Sequence, residues 1–340
     1  MEQTSLAFPP PGPTTRTAGG GVPLRPSRAR RALRGVAQVA CLPYLSLKVA
    51  WIFGSHLGIP AGSPLLEHRT TMVLANGLTV LMDAAVLVLV LLLTRPWGLR
   101  TPAWLLVVPM WVASGLLVPI MAGFPLQLLA TALGGGGSEG EKSSEPFLHD
   151  WVFGVVYGGF IVQGIALGAL FVPYAKDRWA HLWRGRLGEL PRDGARGPRI
   201  AAYSAALLAL LPVTAHLLWA SGVDAGLNAS QADGRTTGSA VLEGLSAVYC
   251  LAAVAGALLL VLRRPPLLPV KVPLTLAWLG SGAVGCWGGW LLFGALVSAG
   301  DVGQRPTGPM LLTYAVRMII GLLVAATGAR FLKERSGSTA

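Results

Sequence analysis

Apolar residues gather along this chain into long runs separated by short polar links. Runs of about 20 apolar residues, the length a helix needs to cross a hydrocarbon core, fall at about 36–58, 71–94, 102–124, 151–174, 200–222, 239–262, 272–298 and 308–331. The pattern predicts an all-α integral membrane protein with eight transmembrane helices. The polar links then set the expected organisation. Residues 1–35, rich in Pro, Gly and Arg, form a disordered basic tail, and 36–175 a first four-helix unit with an outer Gly-rich loop at 125–150. A basic linker at 176–199, a second four-helix unit at 200–333 and a short tail at 334–340 complete the chain. The loop core GGGGSEGEKSSE is of low complexity.

Four spans, a basic connection and four more spans invite a search for duplication. KVAWIFGSHLG at 48–58 aligns with HLLWASGVDAG at 216–226, so that WxxGxxxG recurs as Trp51, Gly54, Gly58 and as Trp219, Gly222, Gly226. WVASG at 111–115 matches WLGSG at 278–282. Along the fourth and eighth spans Tyr157, Gly164, Lys176, Asp177 and Arg178 match Tyr314, Gly321, Lys333, Glu334 and Arg335 without a gap. An even number of spans per unit makes the expected repeats parallel, related by a pseudo-twofold along the membrane normal. Small residues four apart, as in Gly54/Gly58, Gly164/Gly168 and Gly285/Gly289, are expected at close helix contacts.

Composition agrees with a bilayer: 53% of residues are apolar and 12% charged, too little polar surface to cover a soluble globule. The net charge of +12 sorts by loop. One side, with both termini, the 175–199 connection and the links at 95–101 and 263–271, holds 21 of the 27 Lys and Arg residues. The opposite side holds four, Arg69, Lys142, Arg235 and Arg305, against eight acids. Positive-inside bias then places both termini in the cytoplasm and the protein in the plasma membrane, its basic side facing anionic lipid head groups or a protein partner. Topology accounts for the excess charge, and nucleic acid is not expected. The three cysteines, Cys41, Cys250 and Cys286, fall inside apolar spans and read as small hydrophobes, not as a disulfide framework. RARRALRG before Cys41 has the outline of a twin-arginine lipoprotein signal, but Gln38 occupies the lipobox position and the apolar run continues past the cysteine. An uncleaved first helix is expected.

Few polar residues remain inside the spans. Counted from an inner edge near Val36, Lys48 lies about 18 Å deep at 1.5 Å per residue, and Asp83, 11 residues from Thr94, falls at a similar depth. A charge there costs at least about 2.5–3.5 kcal/mol, so the two are expected to pair, either to dock the first two helices or to line a substrate or proton path. In the second unit His216 stands at the Lys48 position and no acid at the Asp83 position. Glu243 and Arg317 join His216 as a candidate polar cluster opening outward, with a proton relay as its active reading and ordinary hydrogen bonding as its bland one. Pro43 and Pro212 each free a carbonyl near these sites, and Asn76 and Gln163 are the remaining uncharged candidates, with interhelical hydrogen bonding as the default.

No HExxH, Walker A or CxxC occurs. GxSxG around Ser138 and GxGxxG matches in the 125–150 loop and at 280–285 follow no strand and reflect composition. The outer-side residues His56, Glu67, His68, His149, Asp150 and Asp224 have no metal-ligand spacing, and neither metal nor cofactor is expected. No catalytic residue can be assigned.

PYLSLKVAWIFG and RPWGLRTPAW give the stretch 43–124 a resemblance to a loose group of uncharacterised actinobacterial polytopic membrane proteins. The resemblance implies membrane location and transfers no activity. The leading expectation is a small-molecule or ion transporter, or the membrane subunit of an export system. The alternatives are an integral-membrane enzyme acting on a lipid-like substrate and a membrane sensor or scaffold.

Overall fold

A computed structural model describes residues 28–61, 63, 69–133, 148–190, 196–297 and 305–337. Among the described residues eight long helices carry the fold: α1 (Arg28–Ile52), α2 (Arg69–Thr94), α3 (Trp104–Leu133), α4 (Asp150–Trp179), α5 (Arg196–Ser221), α7 (Thr237–Leu262), α8 (Lys271–Val297) and α9 (Gly308–Gly337), with a five-residue helix α6 (Ala229–Asp233) between α5 and α7. All eight are long and apolar enough to cross a membrane, the make-up of a multi-pass membrane protein. The start of α1 and the end of α9 share one face, called here the terminal face.

Among the described residues, the two largest clusters of buried side chains form most of the core. One joins α1, α2, α3 and α4 through residues such as Cys41, Leu89, Leu106 and Leu167. The other joins α5, α7, α8 and α9 through Ala205, Ala253, Val284 and Ile320. The four-helix groups meet where α3 packs on α7 and α8. That seam has a reciprocal form: Trp111 Nε1 donates to Ser281 Oγ and Trp278 Nε1 to Ser114 Oγ, each at 3.0 Å. Between these bonds the backbones touch, for a Cβ on Gly115 would lie 2.4 Å from the Gly282 carbonyl oxygen. Bulkier residues at either glycine would push the seam apart. The GSGAVG stretch has the same explanation, since Gly280 meets Ala253 of α7, Gly282 meets α3 and Gly285 meets Gly321 of α9. Its glycines let α8 lie against three helices at once.

The helices outrun the apolar stretches that predict them. α1 begins at Arg28, inside the segment expected to be a disordered tail, because arginine is a good helix former and Arg30 reaches Asp177 of α4 at 2.8 Å. Residues 1–27 of that tail lie outside the described residues. α3 continues to Leu133, which shortens the expected 125–150 loop; its part at 134–147, with Ser138, is outside the described residues. α4 and α9 run through the basic residues Lys176–Arg178 and Lys333–Arg335, so the boundaries expected at 175 and 333 fall inside helices. Residues 191–195 of the linker and 338–340 of the tail are also outside the described residues.

Gly54 and Gly58 correct an expectation. α1 stops at Ile52 and both glycines sit beyond it at φ 92° and 77°, a backbone region that favours glycine. They turn the chain at the helix end and do not pack two helices. Gly164 does meet another helix, at Met121, whereas a Cβ on Gly168 would find open space.

The far ends of α1 and α5 are built alike. Trp51 Nε1 donates to the Leu57 carbonyl at 2.8 Å and Trp219 Nε1 to the Ala225 carbonyl at 3.0 Å. Ser55 N–H bonds the Ala50 carbonyl and Val223 N–H the Leu218 carbonyl. Gly222 and Gly226 repeat the positive φ, at 107° and 83°. Gly58 abuts Val152 at the start of α4, and Gly226 abuts Pro309 at the start of α9.

Candidate functional site

Two cavities lie beside these helix ends. The first, of about 510 Å³, occupies the space between α2 and α3 and is closed by α1, α4 and α8. α2 is held mainly by α1 and touches α3 and α4 little, which leaves that space open. Apolar and aromatic side chains make most of the wall, among them Val112, Leu116, Phe153, Phe160, Trp287 and Trp290. Set into it are Tyr44, Lys48, Thr79, Asp83, Tyr157 and Gln163.

Lys48 and Asp83 border this cavity together without forming a direct ion pair: the ion pairs among the described residues are Arg30–Asp177, His216–Glu243, Arg235–Asp224 and Arg330–Glu334. The expectation of a contact fails on depth. With α1 spanning Arg28–Ile52, Lys48 stands one turn, about 6 Å, from the far end of its helix, whereas Asp83 is 14 residues into the 26-residue α2. The lysine instead places Nζ 4.9 Å from the Tyr44 ring centre and 5.2 Å from that of Trp51, cation–π contacts that partly replace a counter-ion. Asp83 is 5% exposed and its Oδ2 has no hydrogen-bond partner. Gln163 faces the carboxylate and its Nε2 also donates to Cys41 Sγ at 3.4 Å. Asn76 is buried on α2 but borders neither cavity; its carbonyl accepts from Thr79 Oγ1 at 2.9 Å.

The second cavity, of about 290 Å³, is smaller and more polar. It brings His216 of α5, Glu243 of α7 and Arg317 of α9 to one space, as the sequence suggests. His216 Nδ1 and Glu243 Oε2 are 2.5 Å apart, a short charge-assisted hydrogen bond that fixes the ring orientation. His216 is 3% exposed with Nε2 unpartnered, and Arg317 is 6% exposed with Nε unpartnered. Ile120, Tyr157 and Trp287 border both cavities and form the wall between them.

Several lining residues carried no signal of their own in the sequence. Tyr44 sits one turn before Lys48 and Tyr157 matches Tyr314, yet nothing in one sequence separates a lining tyrosine from a packed one. Gln231 reaches the second cavity from the short helix α6, whose position depends on Asn228 accepting from the Gln231 N–H at 2.9 Å. Among the described residues no group of three or more His, Cys, Asp and Glu is arranged to hold a metal ion; Glu67 and His68 lie outside them. The cysteines are free, Cys41 and Cys250 buried and Cys286 half-buried. Comparison with protein-family models, with curated proteins and with solved structures finds no match to the chain.

Proposed function

We propose that the protein is a plasma-membrane carrier of an amphiphilic small molecule, built from two parallel four-helix units, with both termini and its basic face in the cytoplasm. The observation that carries the reading is the 510 Å³ cavity, whose wall is mainly apolar and aromatic and which has Lys48 and Asp83 within it. Such a space suits a ligand with a hydrophobic body and a polar head that meets the two charges. A buried carboxylate with a free oxygen is costly unless something else engages it, and a ligand head group would supply that partner. The two-unit reading draws support from the reciprocal Trp–Ser bonds at the seam and from the matching Trp–carbonyl and glycine turns after α1 and α5. The orientation follows from the skew of Lys and Arg toward the terminal face, which also suits contact with anionic head groups.

An integral-membrane enzyme acting on a lipid-like substrate is the second reading. It is favoured by Asp83, a cavity-lining carboxylate positioned to exchange a proton with a bound molecule. A sensor or scaffold has less support, because Lys48 and Asp83 border open space and are not sealed by packed side chains.

The test uses protein in nanodiscs titrated with dansyl-labelled decylamine and undecanoic acid, read by energy transfer from Trp51, Trp287 and Trp290. Saturable binding of one of them, weakened at least about tenfold by Lys48→Met or Asp83→Asn, is expected. Binding equal in both variants and parent would end the proposal. Recovery of the probe unchanged after uptake into proteoliposomes supports the carrier, and a covalently altered probe supports the enzyme.

A further inference from the structure

The second cavity contains a buried cation without a bonded counter-ion. Arg317 borders the space and is 6% exposed. No described carboxylate reaches its guanidinium within ion-pair distance, and its Nε has no acceptor. Glu243, the acid nearest in the cluster, is committed to His216 at 2.5 Å. A guanidinium held this way in a low-dielectric interior is strongly destabilising unless an anion completes it, and a planar fork of N–H donors matches a carboxylate.

We propose that this cavity is a binding site for a small organic monocarboxylate, with Arg317 as the residue that holds its carboxylate. The volume of about 290 Å³ suits a small molecule, not a lipid. Charge argues for a monoanion: among the described residues Arg317 is the one fixed cation bordering the space, and Glu243 borders it too, so a dianion such as phosphate would carry uncompensated charge. The body of the ligand would lie against Phe124, Trp219 and Trp287, and the neutral donors Tyr314, Gln127 and Gln231 surround it. His216 is a positioning residue here, since its short bond holds the Glu243 carboxylate, which makes no ion pair with the guanidinium. This site is distinct from the Lys48–Asp83 cavity, and its test does not depend on the carrier reading.

The experiment titrates the detergent-purified full chain with benzoate, butyrate, inorganic phosphate and, as neutral control, benzamide, following tryptophan fluorescence and melting temperature. Benzoate or butyrate is expected to bind saturably and to raise the melting temperature, while phosphate and benzamide do not. Arg317→Met should remove the response. Arg317→Lys, which keeps the charge without the fork, should weaken it roughly tenfold or more. Glu243→Gln, which removes a like charge, should strengthen binding. Absence of a saturable response in the parent, or an undiminished response in Arg317→Lys, overturns the proposal. Should Arg317→Met fail to fold, the Arg317→Lys and Glu243→Gln titrations decide alone.

Discussion

At the scale of single residues, the chain's glycines do different work at positions that look alike on paper. Gly58 sits at φ +77° and a Cβ there would lie 2.4 Å from Val152 Cγ2, whereas Gly222 sits at φ +107° with nothing within 4 Å. Gly222→Ala is therefore expected to cost about 1–2 kcal/mol from backbone strain alone, and Gly58→Ala a further 1–3 kcal/mol or so from overlap. Denaturation in detergent checks the order; equal losses would show that Val152 yields freely. The WxxGxxxG repeat was plain in the sequence, but its role was not, because a glycine pair four apart has the same spelling in a packed helix and in a turn. Lys48 and Asp83 teach a related lesson. That they share one space was legible from their chemistry. Their contact was not, because a depth counted from Val36 ignores the eight basic and apolar residues by which α1 starts earlier. Breaking a buried ion pair costs about 3–5 kcal/mol, but these charges do not touch. The cycle of Lys48→Met, Asp83→Leu and the double variant is expected to give a coupling below about 1 kcal/mol. A coupling of several kcal/mol would restore the direct pair.

At the scale of elements, eight apolar runs became eight helices, since backbone groups in hydrocarbon must satisfy one another within the segment. Hydropathy misplaced their ends. It reads only the apolar part, whereas α1, α4 and α9 extend through turns of Arg and Lys whose stems cover apolar surface while their charges reach polar partners. Arg178 donates to the Gly98 and Thr101 carbonyls, at 3.3 and 2.7 Å. Arg335, its counterpart in the sequence match, donates to the Leu182 and Arg184 carbonyls at 3.0 Å each. Where helices cross also depends on side chains a single sequence does not place. On α9, a Cβ at Gly321 would meet Gly285 Cα at 2.4 Å, while one at Gly328 meets nothing within 4 Å. Gly321→Ala is expected to destabilise by about 1–3 kcal/mol as α8 and α9 separate. Gly328→Ala should be neutral or stabilise by up to about 1 kcal/mol, because alanine is the better helix former. Thermal melts of the two variants give opposite signs if the close approach is real, and the same sign if α9 can shift along α8.

At the scale of the whole molecule, the first cavity reaches from Leu148 and Val152 to Val108 and Leu89, four and five residues from the terminal-face ends of α3 and α2, whereas the second lies toward the face away from the termini. Lys48 and His216 stand four and five residues from the ends of α1 and α5 there, and α6 contributes Gln231 to the second cavity. The two four-helix groups carry different chemistry, a mainly apolar cavity with Lys48 and a more polar one with His216, the residue aligned with it in the proposed repeat. Which bulk phase the second cavity approaches depends on orientation, and the proposed orientation rests on the loop charges, since the segments expected on one side carry 21 of the 27 Lys and Arg residues of the sequence. The native cysteines favour a direct check, because Cys41 and Cys250 are buried and Cys286 half-buried. Ser230, exposed on the far face, and Lys333, exposed on the terminal face, are suitable positions for a new thiol. Ser230→Cys is expected to react with a membrane-impermeant maleimide in intact cells, and Lys333→Cys only after permeabilisation. The reverse pattern would turn the second cavity toward the cytoplasm, and a ligand would then reach it from inside the cell.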